Sequence, residues 1–340
     1  MRGSNNHGNV GRATMVDVAR AAGVSLKTVS RVINGEAGVR PGTTEKVMQA
    51  ASALRYERND LAASLRHGAR SFTIGLVIED VANPFYSTIA QAVEERARER
   101  SSMLITASAR EDPVRERELV TALLRRRVDA LLVVPTGTDH RYIHDAGFDT
   151  STVFVDRPPA RVKADTVLVE NAAGARRAVE HLLAHGHTRI AFVGDDPRLF
   201  TARERLAGYR RALRRAGVEP DPALIMLGNG ASEAAAAATG ALLRLPADQR
   251  PTALIAGNNR CTVGVLHALG AKRKRLALVG FDDFELADLL GVTVVRTDPY
   301  RIGQLAAERA FARIDGDDSA AQRLVVPAQV IARGSGEINR

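Results

Sequence analysis

The chain has no tryptophan and a single cysteine, Cys261, in 340 residues. A lone thiol excludes an internal disulfide and suits a reducing cytoplasm. No run of about eighteen apolar residues occurs, which argues against a membrane-spanning helix, and the opening MRGSNNHGNV lacks the apolar centre of a secretory signal. The expected location is therefore the cytoplasm, with no membrane partner and with residues 1–12 as a polar, glycine-rich, disordered lead-in. Aromatic residues make up only 4% of the chain, so a ligand pocket has few rings to stack on and must draw its specificity from hydrogen bonds. Hydrophobic residues, at 45%, suffice for a real core, and the length predicts two or three compact units. Of the +9 formal charge, most comes from residues 1–70, which carry eleven Lys and Arg against five Asp and Glu. A basic excess gathered at one end fits neutralisation of phosphates and a steep salt dependence of binding.

Within that end, TMVDVARAAGVSLKTVSRVIN, residues 14–34, predicts two short amphipathic helices joined at Gly23. Thr14 caps the first and Asp17 closes a capping box, Val18 and Ala21 continue its apolar stripe, and Ala22 ends it. Gly23 gives the turn its backbone freedom, Val24 fills the angle between helices, and Ser25 caps the second helix. Val29, Val32 and Ile33 form the buried face of that helix. Leu26, Lys27, Ser30, Arg31 and Asn34 project the other way, as in a recognition helix that reads a major groove. Leu26, Lys27 and Arg31 are the expected base contacts, and Thr28, Ser30 and Asn34 the expected phosphate contacts. The segment resembles the DNA-binding domain of the lactose/galactose-repressor (LacI/GalR) family, whose signature looks like DVAxxAGVSxxTVSRVxN. Every fixed position of that pattern is present.

RPGTTEKVMQAASALRY predicts a third helix with Pro41 in its first turn and Val47, Ala50, Ala51 and Leu54 on one face, completing an all-α headpiece over 13–57. In ERNDLAASLRHGARS, Asn59 caps a helix of barely two turns, marginal by itself in water. The resemblance implies that 58–70 is a hinge helix and linker that orders on DNA and enters the minor groove beside its partner. There Leu65 would wedge between base pairs and Arg66 would contact the duplex. Arg58 stands where the family pattern has proline, and Ala63 where it has arginine.

From residue 71 onward, short β-rich runs alternate with helical patterns: FTIGLVIE, SMLITAS, DALLVVP, STVFVD, TVLVE, TRIAFVG, ALIML, TALIAG, LALVGF, VTVV and RLVVPAQVI. Alternation of this kind predicts parallel sheets covered by helices, with ligands at the carboxyl ends of strands, and so many strands predict two subdomains with a cleft. DVANPFYS, HLLAHGHTRIAFVG, RLAGYRRAL, VGFDDFELADLLG and ARGSGE resemble the family's periplasmic-binding-protein-like core. That resemblance implies three crossovers, placed near 168, 293 and 320. The first subdomain is then expected over 71–168 and 294–320, and the second over 169–293 and 321–340.

Polar residues end several of these strands: Asn83, Asp156, Asn258 and Asp282. Such groups suit vicinal hydroxyls, and they equally suit helix caps. Arg203 and Arg205 lie in the segment that looks like the family's effector-contacting RLxGY, Arg205 aligning better, and a guanidinium offers parallel donors to a polar ligand. Phe85, or Tyr86, is placed to cover a sugar face. The expected effector set is Phe85, Asp156, Arg203, Arg205, Asn258 and Asp282.

Catalysis finds little support. GNGASE begins like a dinucleotide fingerprint, but Glu233 takes the place of its third glycine, and no serine sits in a nucleophile elbow. His181 and His185 end a helix, where imidazolium complements the dipole, so neither they nor His187 are expected to bind metal, and no cofactor is expected. The basic run Lys272–Arg275 reads as a solvated loop, and Arg125, Arg126 and Arg127 follow a helix and fit its C-terminal dipole. The expected protein is a homodimeric, effector-controlled transcriptional regulator, most simply a repressor, bound to a pseudo-palindromic double-stranded operator of the nucleoid, with a carbohydrate effector. A nucleoside or purine effector, a protein co-repressor and a solute-binding protein are the alternatives.

Overall fold

The computed structural model describes residues 13–33, 35–56, 71–145, 150–270 and 276–340. The chain divides into two compact units, with the boundary between Ser71 and Phe72.

The first unit holds α1 (Met15–Ala22), α2 (Leu26–Ile33) and α3 (Pro41–Ala53). Thr14 caps α1 through its side chain, and the Asp17 carboxylate accepts from the Thr14 backbone N–H, so the capping box forms as read. Gly23 sits at φ +63°, the left-handed conformation that ends α1. The buried stripe is Val18 and Ala19, flanked by Met15 and Ala22, whereas Ala21 is exposed. Positions 15, 18, 19 and 22 follow helical spacing, and Ala21 lies outside that row. Val29, Val47 and Ala51 complete a small core with Val24, Val32, Ile33 and Tyr56 around it, while Leu54 stays exposed. Thr14→Ala is expected to loosen α1 by about 1 kcal/mol. Hydrogen exchange at its first-turn amides, roughly fivefold faster than in the parent chain, measures it.

The second unit contains β1 (Thr73–Ile78), α4 (Pro84–Glu99), β2 (Met103–Ser108), α5 (Pro113–Arg125), β3 (Ala130–Val133), α6 (Tyr142–Asp145), β4 (Ser151–Val155) and β5 (Asp165–Val169). It continues through α7 (Asn171–Ala184), β6 (Ile190–Val193), α8 (Phe200–Arg215), β7 (Ile225–Met226), α9 (Ser232–Leu243), β8 (Ala253–Ala256), α10 (Asn259–Leu269) and β9 (Ala277–Phe281). It ends with β10 (Thr293–Arg296), α11 (Pro299–Ile314), β11 (Arg323–Val326) and β12 (Gln329–Ile331). Two six-stranded sheets result, ordered β11-β5-β4-β3-β1-β2 and β12-β10-β9-β8-β6-β7, parallel throughout except for β12.

Strand sequences are almost wholly apolar because both faces of each sheet are covered. On β1, Ile74, Leu76 and Ile78 pack towards α4, and Val77 packs with Val120, Leu123 and Leu124 of α5. On β6, Ile190 and Phe192 join α7 and α8, and Ala191 and Val193 join α9 and α10. Helix pairs cross at glycines where no larger residue fits. A Cβ on Gly208 of α8 would lie 2.2 Å from the Ala172 carbonyl oxygen, and one on Gly264 of α10 would lie 2.2 Å from that of Ser232.

Two strand readings need correction. RLVVPAQVI is two strands in different sheets, because Pro327 has no N–H to continue a ladder. ALIML shrinks to Ile225–Met226 behind a 3₁₀ turn started by Pro222. The first pairing also moves the third crossover: β11 still pairs with β5, so the chain changes sheets between Val326 and Gln329 rather than near 320. The first change falls after β5, close to 168. The second falls between β10 and α11, which packs on α4 and the first sheet.

Candidate functional site

Helix α2 presents the headpiece surface. The Ser25 hydroxyl accepts from the Thr28 amide at 3.1 Å and lies 2.8 Å from the Thr28 hydroxyl, fixing the first turn. Leu26 is 45% exposed despite being apolar, and Lys27 beside it is exposed too. Thr28, Ser30 and Arg31 are half-buried. Arg31 does not project freely: its Nη2 donates to the Ala37 carbonyl at 2.6 Å, and its Nε lies 3.5 Å from Glu36. Asn34, Leu65 and Arg66 lie outside the described residues, as does the run Lys272–Arg275.

In the second unit both sheets reverse strand order, between β1 and β3 and between β6 and β8, so two crevices form at carboxyl ends. The sheets are built alike, and the likeness extends to two aspartates. Asp156 follows β4 at φ +66° with its N–H on Val167 of β5, and Asp282 follows β9 at φ +65° with its N–H on Val295 of β10. Both are buried, and both line one cavity of about 290 Å³ between the sheets.

Arg205 reaches that cavity from α8 and is 6% exposed. Its Nε donates to Asn171 at 2.7 Å, and its Nη1 to the Gly257 carbonyl at 2.6 Å and to Asp282 at 3.2 Å. The guanidinium carbon lies 3.8 Å from the Phe281 ring centroid, so the fork is locked in plane. Asp282 also accepts from Thr297 at 3.2 Å. Asp156 accepts from the Tyr86 hydroxyl at 3.1 Å, while its Oδ1 is shut from water with no partner among the described residues. Burial holds the Asp156 carboxyl above the usual range against the opposing pull of Arg157 and Arg205, and burial raises the Tyr86 phenol well above its own, so the phenol stays a donor.

Phe85 packs edge-on to Tyr86, and both line the cavity. Asn258 lines it as well, but its amide is spent locally, accepting from Cys261 N–H and donating to Asp195 and Gly230. Asn83 likewise caps α4. Of the expected effector set, Phe85, Asp156, Arg205, Asn258 and Asp282 thus meet at one cavity. Arg203 does not: two residues from Arg205, it is turned roughly 200° away on the helix and lies over the Phe200 ring, beside Arg210, Arg211 and Arg214.

Several lining groups escaped the sequence reading. Arg157 chelates Glu111 at 2.7 and 2.5 Å and is buried. Its position directly after Asp156 at a strand end was a usable signal, whereas Glu111 sits in an irregular loop and gave none. Arg260 joins the two sheets' crevices, lying 3.2 Å from Glu79 and 2.6 Å from Asp80, and Asn259 donates to Asn83 at 2.9 Å. These bonds tie the amino end of α10 to the loop that precedes α4.

The remaining candidates are structural. His187 bonds Thr252 and the Ile338 carbonyl and His181 the Glu337 carboxylate, so both secure the end of the chain, while His185 bonds the His181 carbonyl at the end of α7. Among the described residues no group of three or more His, Cys, Asp or Glu is arranged to hold a metal, and no helix is long and apolar enough to cross a membrane. Cys261 is fully buried, and burial pushes its thiol up to about 12, which makes it a poor nucleophile.

Residues 14–59 match the bacterial regulatory proteins of the lacI family, and 179–336 a periplasmic binding protein-like domain. The ribose operon repressor of Escherichia coli K12 is 34% identical over 95% of this chain and 99% of its own length. The HTH-type transcriptional regulator DegA of Bacillus subtilis is 31% identical over 95% and 98%. The Lac repressor dimer solved with operator and the anti-inducer ONPF superposes with a TM-score of 0.80 at 25% identity, covering 96% of this chain and 99% of that one. A regulator CelR–cellobiose complex gives 0.69 at 29% identity, covering 96% and 100%. With a three-helix DNA-reading headpiece, a two-sheet binding core and full-length repressor relatives, the chain belongs to the lacI family of bacterial regulatory proteins and is a DNA-binding transcriptional regulator, not an enzyme.

Proposed function

We propose that this regulator is a cytoplasmic homodimer that represses from a pseudo-palindromic operator and is controlled by a sugar held between its two sheets. One observation carries the reading: equivalent aspartates from the two sheets, Asp156 and Asp282, meet Arg205 on one polar cavity. A ligand there touches both halves of the core, so its binding favours one relative position of the halves. The relatives' printed ligands, ribose in one name and cellobiose in one complex, are the reason for preferring a carbohydrate.

In this proposal Leu26, Lys27 and Arg31 read bases, Thr28, Ser30 and Asn34 hold phosphates, and Leu65 and Arg66 enter the minor groove. Phe85, Asp156, Arg205, Asn258 and Asp282 hold the sugar. The test is fluorescence anisotropy of the full chain on a selected operator, titrated with sugars and nucleosides. A sugar should change operator affinity roughly 5- to 150-fold, the usual span of such couplings. No response to any sugar overturns the proposal.

A further inference from the structure

The charge around the cavity narrows the ligand class further, on the reading just given. Five lining carboxylates face three guanidinium groups, and none of the three is uncommitted. Arg157 serves Glu111 at 2.5 Å and Asp156 at 3.6 Å, Arg260 serves Glu79 and Asp80, and Arg205 serves Asp282. Among the described residues Asp195 has no ion-pair partner and accepts from the Asp196 N–H and the Asn258 amide. What remains open to a ligand is mostly acceptors, because the buried Arg157 Nε, which makes no hydrogen bond among the described residues, already faces Asp156 at 3.6 Å. Asp156 Oδ1 is buried and unpartnered, and Nη2 is the one Arg205 nitrogen with no hydrogen bond among the described residues.

We propose that this cleft takes an uncharged, monosaccharide-sized polyol and rejects the phosphate ester of the same sugar. Hydroxyl groups donate to Asp156 and Asp195 and accept from Arg205, which a phosphate cannot imitate, since it brings acceptors and charge to carboxylates that already exceed their cations. Burial first, and the Glu111 charge after it, already holds Glu79 and Asp195 above the ordinary carboxyl range, so a further anion is disfavoured. A cavity of about 290 Å³ lies at the lower edge of the roughly 300–1,000 Å³ typical of small-molecule sites, which suits one ring and not two.

The test is isothermal titration of the full chain at pH 7.5 with ribose, xylose, fructose, galactose and glucose, each beside its phosphate ester, and with adenosine and inosine. At least one free sugar should bind, with its ester roughly a hundredfold weaker or more, the scale of a like-charge juxtaposition. In Glu111→Gln, which releases Arg157 from its counter-ion, the ratio of sugar affinity to ester affinity should narrow roughly tenfold or more. An ester that binds as tightly as its sugar overturns the charge argument and leaves the effector reading standing. A nucleoside tighter than every sugar overturns the size limit, and silence from every sugar and ester overturns the effector reading together with this one.

Discussion

Arg205→Ala is expected to abolish the effector response and to destabilise the core as well. The guanidinium satisfies the Asn171 side chain, the Gly257 carbonyl and Asp282, all at the carboxyl end of the second sheet. Asp282 is 6% exposed, and without Arg205 its one remaining hydrogen-bond partner among the described residues is the Thr297 hydroxyl. Stranding a buried charge this way costs about 3–5 kcal/mol. Loss of response alone would therefore not separate a ligand contact from a brace. The separation comes from the double variant Arg205→Met with Asp282→Asn, which removes both charges. Urea unfolding of the core should recover most of the lost stability, because a neutral pair leaves nothing uncompensated. Operator release by the sugar found in the titrations should stay absent, because neither the planar donor nor the carboxylate is there. If the double variant regains its response along with its stability, Arg205 is a brace, and the ligand is read by other groups.

Much of this core was legible beforehand because its physics is local. A strand buried on both faces has to be a continuous apolar run, and ten of the eleven runs became a strand at or near the expected place. The exception, RLVVPAQVI, failed where a single imino nitrogen outweighed hydrophobicity. Asp156, Asn258 and Asp282 were legible as polar ends of apolar strands, and Arg205 through its family segment. Strand-end position could not say which polar group faces a ligand and which caps a helix. Asn258 lines the cavity and still spends its amide on Cys261, Asp195 and Gly230. Arg203 went astray because two residues along a helix reverse direction, a fact that charge alone ignores. Glu111 and the Arg260 contacts with Glu79 and Asp80 were invisible, since they depend on how loops from distant parts of the chain meet.

The headpiece poses the sharpest question, because Arg31 has two claims on it. The spacing of α2 assigns it to base readout, where a bidentate pair with guanine contributes about 1–3 kcal/mol of discrimination. Its guanidinium also holds the Ala37 carbonyl at 2.6 Å and approaches Glu36 at 3.5 Å, beyond the end of α2. Reading a base requires Nη2 to leave Ala37, an exposed bond that water replaces at small cost. Arg31→Ala should therefore weaken operator binding roughly tenfold or more and relax the preference at one position in each half-site, with much less loss on random duplex. Lys27→Ala gives the comparison, since Lys27 is exposed in the first turn of the same helix and should alter preference at a different position. Should Arg31→Ala weaken operator and random DNA equally, and speed amide exchange across residues 35–38, then the arginine builds the turn and does not read sequence. Glu36→Gln sharpens the distinction: removing the competing carboxylate should raise affinity for operator if Arg31 must be freed, and should leave the preferred sequence unchanged.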